Sequence, residues 1–341
     1  MLYKNILYLI HIENLQPITP LKYYFLYIFI LLNINKITAQ DNVFTQPNGA
    51  PMYLNPALTG STEQGRAMLL SRFQYAKAGG TFINNAFSFD YNANDMNSGF
   101  GLLVTNSQAG QAGIKASSIT LNYAYHVALS DEWQMKLGVS AGYNNQSIGF
   151  FNYIFGDQLN SSGTVTPTAE AFKKTTMTYL DLASGVFIHN RNIWAGFAAH
   201  HLNEPNRSLF DKNYRLPRRF SLQLGARMEI DEYNTITPQA NIRDQKGLYQ
   251  ADLGVLWSSG VLEAGVWYKN MGISKTANSS LSGVVSFAAK KLRFTYSYDY
   301  VFGKLQGLGG AHEVGISFSF GEWRGYRKNY VHCPIFMENL E

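Results

Sequence analysis

Seven histidines, one cysteine and 23 acidic residues are the groups in this chain that could ligate a metal or move a proton. Their spacing argues against both. His200 and His201 are adjacent, and neighbours on an extended strand point to opposite faces, so the two cannot close on one ion. Asp181 and His189 share a face, but eight residues of strand set them about 27 Å apart, too far for a dyad. No nucleophile elbow, Cys/His metal spacing or outer-face Ser/His constellation of a barrel lipase is read from the chain. Cys333 stands alone, so there is no internal disulfide framework. His200 is expected as a lumen or loop hydrogen-bonder, and His312 and Glu313, after "GLGGA", as hydrogen-bonders at a rim. The chain is expected to be no enzyme and to use no cofactor.

The elements that would position these side chains are strands. Only 15% of residues are charged, 14% are aromatic and 30 are glycine, against about a quarter charged in soluble chains. A net charge of +5 without a basic block interleaved with aromatics excludes nucleic acid as a partner. After Gln40 no run approaches the apolar length of a membrane-spanning helix. Period two dominates instead. Ile119, Leu121, Tyr123, Tyr125, Val127 and Leu129 alternate with Thr120, Asn122, Ala124, His126 and Ala128. Trp133–Tyr143, Phe220–Ile230 and Leu292–Phe302 repeat the pattern, with Leu224 on an apolar face and Gln223 on a polar one.

The polar face is mostly Gly, Ser, Ala, Thr, Asn and Gln, which suits a barrel interior with aliphatic and aromatic residues turned to lipid. A soluble β-protein would show Lys and Glu there. Fourteen strands are expected, starting near Gly65, Thr81, Ser98, Lys115, Trp133, Thr176, Asn192, Leu216, Tyr233, Gly247, Val261, Ser280, Lys291 and Ala311. Because open edges are forbidden in hydrocarbon, the sheet must close. The fold expected is an all-β, transmembrane, antiparallel up-and-down β-barrel spanning 65–320. Trp133, Trp194, Trp257, Trp267 and Phe320 are read as interfacial girdles. Short connections follow even strands and long ones odd strands, placing both termini in the periplasm. Arg66, Arg72, Arg219, Arg227, Arg243 and Arg293, with Glu229, Glu263 and Asp299, would line an open lumen or pair within a filled one.

Before the barrel, Leu21–Gln40 has the layout of a secretory signal peptide cleaved near Ala39; a membrane-anchoring helix is disfavoured because Asn33, Asn35 and Lys36 cut the apolar run short. Glu13 and two prolines in residues 1–20 misfit a basic region, so Leu21-Lys22 makes the better start. Residues 1–39 are therefore assigned to the signal segment, 40–64 to a periplasmic or plug segment and 321–341 to a periplasmic tail. Phe44, Tyr53, Asn55 and Pro56 point to an ordered plug in the lumen or on the rim; the alternative is a flexible leader.

Several blocks in order resemble the PorP/SprF family of type IX secretion outer-membrane proteins of Bacteroidota: "FTQ…MYLNPALTGS", Phe155–Glu170, Leu180–Asn206 followed by "RLPRRF", "YQADLGVLWSSGVLEAGVWYKN", "YSYDYVFGKLQGLGGAHEVGISFSF" and the closing "CPIF". The resemblance implies outer-membrane residence after signal cleavage. It also implies a role in export or surface anchoring of a partner adhesin, linked to gliding or attachment. Implied partners are the adhesin's C-terminal region and other secretion components, besides outer-membrane lipid. By parity, Asn203, Glu204, Pro205 and Asn206, with Arg215, Pro217 and Arg218, sit in or beside an external loop suited to docking. A passive porin or small-molecule transporter is the alternative function.

Overall fold

The computed structural model describes residues 44–46, 49–62, 65–75, 81–110, 113–149, 158, 175–208, 214–271, 278–289, 291–320 and 333–335. They belong to one compact unit, Asn42–Glu341. The expected signal segment and nearly all of the Phe155–Glu170 block lie outside the described residues.

The strands are β1 (Gly65–Gln74), β2 (Phe82–Ala93), β3 (Ser98–Ala109), β4 (Ile114–Ala128), β5 (Gln134–Ile148), β6 (Thr176–His189), β7 (Ile193–His200), β8 (Arg219–Ala226), β9 (Met228–Glu229), β10 (Asn234–Gln245), β11 (Leu248–Ser259), β12 (Leu262–Met271), β13 (Asn278–Ala289), β14 (Leu292–Val301) and β15 (Ala311–Phe320). β8 and β9 are one crossing interrupted at Arg227, whose N–H donates to Asn192 O (2.6 Å), one step beyond the last β7–β8 pair, Ile193↔Ala226. Each crossing pairs antiparallel with its neighbours in the chain, and β1 pairs with β15 from Gly65↔Phe320 to Gln74↔Ala311. The result is a closed barrel of fourteen crossings. Tight connections join the strands at one end: Gly260 and Val261 link β11 to β12, and Asn190–Asn192 link β6 to β7. The strand ends joined by the long connections, Ile148 to Thr176 and His200 to Arg219, are at the other. There Lys246 and Gly247, with φ of 55° and 80°, make a tight hairpin turn of the primed kind.

The alternation resolves into two faces. On β4, Ile119, Leu121, Tyr123, Tyr125 and, beyond the strand, Leu129 are exposed outward. Ten residues at about 3.3 Å each, tilted about 40°, give a belt of about 25 Å, the height of an outer-membrane apolar band. Above it the belt ends in register. The row Leu69–Phe87–Val104–Ile119–Tyr143–Leu180 is apolar, and the next outward row toward the long loops is Ser71–Asn85–Asn106–Ser117–Asn145–Thr178. Hydrogen bonds run along that row, from Ser71 Oγ to Asn85 Oδ1 (2.6 Å) and from Asn106 Nδ2 to Ser117 Oγ (2.8 Å).

Two expected girdle residues face the other way. Trp194 and Trp267 are 5% and 3% exposed and point into the lumen. Each covers the glycine of a neighbouring strand, Gly225 and Gly254 respectively, where a Cβ would collide with the indole. Trp257 and Phe320 keep to the outer face. Trp257 donates to Asn234 Oδ1 (3.2 Å) and Phe320 stacks on Phe89 (5.4 Å).

Leu224 lies near mid-height of the outer belt, 41% exposed before lipid is added. Leu224→Arg should lower the unfolding free energy by about 2–4 kcal/mol in a lipid-refolding titration, the cost of a cation at the bilayer midplane. Leu224→Phe should be near neutral. Equal effects for the two would mean that this face does not meet hydrocarbon.

Candidate functional site: the filled lumen

The lumen is occupied by the segment that precedes β1. Described from Phe44 to Thr62, apart from 47–48, it contains one helical turn, Pro51–Leu54, and one 3-10 turn, Pro56–Leu58. Pro51 and Pro56 open these turns, where a missing N–H costs nothing. Asn55 separates them and is fully buried. Its Oδ1 accepts from Ala57 N (2.9 Å), capping the second turn. Its Nδ2 donates to Val186 O (3.1 Å), Phe197 O (3.4 Å) and Gln223 Oε1 (3.0 Å), on three successive strands. Gln223, expected to be an ordinary lumen position, is therefore part of this anchor. Tyr53 packs edge-on against Phe44 (5.5 Å) and lies under the Arg219 guanidinium (5.1 Å).

The wall is shaped to admit this segment. A Cβ on Gly138 would overlap the backbone of Pro56–Ala57, and one on Gly185 would overlap the Asn55 carboxamide. The small residues of the polar face are thus the places where a second layer of chain lies directly on the sheet.

Fixed charge holds the segment at both ends. Near the short-turn end, Asp90 accepts from Arg66 Nε (3.1 Å) and from Gly60 N (3.0 Å). Lys136 Nζ donates to Ser61 Oγ (3.0 Å). Toward the long loops, Arg72 Nη2 bonds Asp299 Oδ2 (2.7 Å), and Lys269 Nζ lies 3.4 Å from the same oxygen. The Glu313 carboxylate accepts the N–H groups of Thr45 (2.7 Å) and Gln46 (3.0 Å), and Thr45 Oγ1 donates to Asp299 Oδ2 (2.9 Å) and also contacts Arg72. Arg243 pairs with Asp252, and Arg293 with Glu263 (2.7 Å). Among the arginines read as lumen-lining, Arg66, Arg72, Arg243 and Arg293 thus have acidic partners.

The chain's other end comes back inside. Cys333 packs with Ala57, Leu58, Phe187 and Trp194, with Ile335 beside them. Burial pushes its thiol pKa up, against the nearby charge of Lys136. Three residues of the expected periplasmic tail are therefore lumen filling.

The expected histidine roles divide. His200 Nε2 lies 3.3 Å from Leu54 O, a lumen hydrogen bond. Asp181 pairs with His201 Nδ1 (2.8 Å), not with His189. His312 faces outward against Tyr296 OH (2.9 Å), while Glu313 beside it faces inward to the N–H groups of Thr45 and Gln46. The letters G-x-S-x-G do occur, at Gly138–Gly142, but inside β5 rather than on a strand-to-helix turn.

The described residues of the β7–β8 connection, 201–208 and 214–218, fold onto the rim. Asn203 bonds the β6 backbone both ways, accepting from Leu182 N (3.1 Å) and donating to Leu180 O (2.8 Å). Asn206 bridges to Arg215 across the loop, and its Oδ1 accepts from Ser208 N and Tyr214 N (both 3.1 Å). Leu216 N donates to the carbonyl of buried Pro205 (2.9 Å), with Pro217 next in line. His201 and Glu204 adopt left-handed backbone, φ 58° and 42°. Glu204 pairs with exposed Arg218 at 3.4 Å, and Arg215 is exposed.

Asp90, Asp252, Lys136 and Lys269 were not singled out from sequence. Parity could have found them: each is a charge on the polar face of an apolar-periodic run. The partners of Asp90, Lys269 and Lys136 could not be read this way, being 24, 30 and 75 residues away, whereas Arg243 faces Asp252 across a hairpin.

A family model described as type IX secretion system membrane protein PorP/SprF matches residues 37–318. No curated protein sequence matches the chain. Similar solved structures include the P. putida toluene transporter TodX, at 9% identity, covering 82% of this chain and 95% of that one with a TM-score of 0.48. The Ralstonia pickettii toluene transporter TbuX gives 11%, 79%, 91% and 0.47 on the same measures. A Pseudomonas aeruginosa FadL homologue gives 13%, 80%, 94% and 0.44. Such identities speak to neither substrate nor mechanism.

Gly138→Ala should cost about 1–3 kcal/mol by overpacking against Pro56–Ala57. Gly283→Ala, where an added Cβ has nothing within 4 Å, should stay within about 0.5 kcal/mol. Refolding titrations of the two variants check this. Cys333 should resist maleimide in the folded barrel and react once the protein is unfolded. Rapid labelling of the native protein would show that the tail is not docked.

Proposed function

The chain belongs to the PorP/SprF family of type IX secretion system membrane proteins, and from that premise we propose that this outer-membrane barrel supports export or surface anchoring of a partner adhesin. The reading is non-enzymatic: the protein binds and holds a partner and does not transform it. The observation that carries it is the family match over residues 37–318. Other secretion components are the partners that membership implies. The adhesin's C-terminal region is the finer proposal.

The loop 201–218 supports docking at the long-loop rim. Asn203, Pro205 and Asn206 are committed to holding its shape, so little backbone entropy remains to be lost when a partner binds. Arg215 and the Glu204–Arg218 pair are left at the surface. An exposed ion pair contributes little to stability and can exchange partners with a docking peptide at small cost. A lumen crossed by residues 44–62 favours this reading over a permanently open porin.

Alanine at Glu204, Arg215 and Arg218 together should leave the barrel folded, as judged by heat-modifiable gel mobility. Surface proteomics should then show the loss of one large cognate protein. Unchanged display at equal barrel level would exclude this loop as the docking site.

A further inference from the structure

A cavity of about 100 Å³ separates the plug from the wall made by β11–β15 and β1. Arg66, Glu263 and Arg293 line it toward the short-turn end; Leu70, Trp267 and Gly315 line it at mid-height, with Gln46 and Gly49 of the plug on its inner side. One step further along each strand, two residues on and on the same face, the wall becomes charged. Leu70 is followed by Arg72, Trp267 by Lys269, and Gly315 by Glu313. The cavity's ceiling is therefore the cluster Arg72–Lys269–Asp299–Glu313, closed by Thr45 and Gln46.

The plug is attached in two chemically different ways. From Tyr53 to Ser61 it is fastened to β2–β8: Asp90, Lys136, Phe197, Arg219 and Gln223 hold it, and the wall is glycine-relieved to fit it. Thr45 and Gln46 are held to β14, β15 and β1 by hydrogen bonds, while Phe44 beside them packs with Met52, Leu70, Ala86 and Leu103 and stays in place. Water or a passing ion can replace every one of those bonds. Nothing comparable can replace the packing at Asn55 and Ala57.

We propose that residues 45–46, between the packed Phe44 and the anchored turns, are a displaceable closure over this cavity, and that their withdrawal opens a route for inorganic ions and small hydrophilic solutes along β11–β15 and β1. The protein then has a latent conducting activity beside the secretion role. The hydroxyls of Thr295, Ser317 and Ser286 line the route below the ceiling. Two cations and two carboxylates meet at the ceiling, so the opened passage has little charge preference. Glu313 is the catch, because its two oxygens hold the backbone of consecutive plug residues.

The test is conductance of the full-length purified protein in planar bilayers bathed in KCl. The parent should be closed, with rare brief openings. Thr45→Pro removes the N–H held by Glu313 and the hydroxyl held by Asp299 and Arg72, leaves every wall residue unchanged, and should raise open probability about tenfold or more. Thr295→Cys in that background should lose current on reaction with a bulky cationic thiol reagent, with Thr45→Pro alone, which retains only Cys333, as the blank. Where Thr45→Pro fails to give a heat-modifiable barrel, Glu313→Gln takes its place with the same expected result. A folded variant as silent as the parent overturns the proposal, as does current indifferent to modification at position 295. Surface display of the adhesin is a separate readout, so failure here leaves the secretion reading standing, and the reverse.

Discussion

An unsatisfied backbone N–H or C=O in hydrocarbon costs several kcal/mol, and a single open strand edge carries a row of them. Everything else in this molecule follows from removing that edge. The ten paired positions between β1 and β15 complete the cylinder. Closure forces alternate side chains to face lipid or lumen and nothing else. It also encloses an interior too wide for wall side chains alone to fill. The protein fills it with its own chain, from both ends.

Filling a lumen with backbone brings a second accounting problem. Each buried polar group of the filler needs a partner, and the wall's backbone is largely spent on the ladder, so the filler's main chain is met by wall side chains, while the Asn55 carboxamide also reaches the spare acceptor capacity of the Val186 and Phe197 carbonyls. This explains the pairing of fixed charges with main-chain donors: Asp90 with Gly60 N, and Glu313 with Thr45 N and Gln46 N. Charged acceptors make stronger bonds than neutral ones, and each is itself neutralised by a neighbouring arginine or lysine. The lumen's ionic content is thus a consequence of what it contains. Low overall charge and a heavily ionic interior are compatible because the outer wall carries almost none.

Much of the wall was legible in the sequence. Observed strand starts lie within three residues of those expected, as with Leu216 against Arg219 for β8 and Thr81 against Phe82 for β2. Period two is a local property, repeated at every crossing, so a single chain suffices to see it. Trp194 and Trp267 were misassigned because position near a strand end was weighed above parity; both stand opposite lipid-facing neighbours, Ile193 and Val266 among them. The interior was less legible for a physical reason. Asn55 meets Gln223 across 168 residues and Thr45 meets Glu313 across 268, and nothing in either sequence neighbourhood marks the other. The small residues of the polar face pointed to a barrel interior. Which glycine meets which turn is a matter of three-dimensional register.

The segment that reaches β15 from inside is also the first part of the unit to leave the translocation machinery. Chains do not thread through closed rings of their own making. Residues 44–62 therefore have to be lying across the sheet while it is still curved and open, before Gly65 and Phe320 meet. A β1–β15 seam that closes around this segment makes residues 44–62 an internal former for the wall. A wall rolled without it would close around a wet, unbraced interior, leaving Glu313, Asp299 and Asp90 without the groups they were placed to hold.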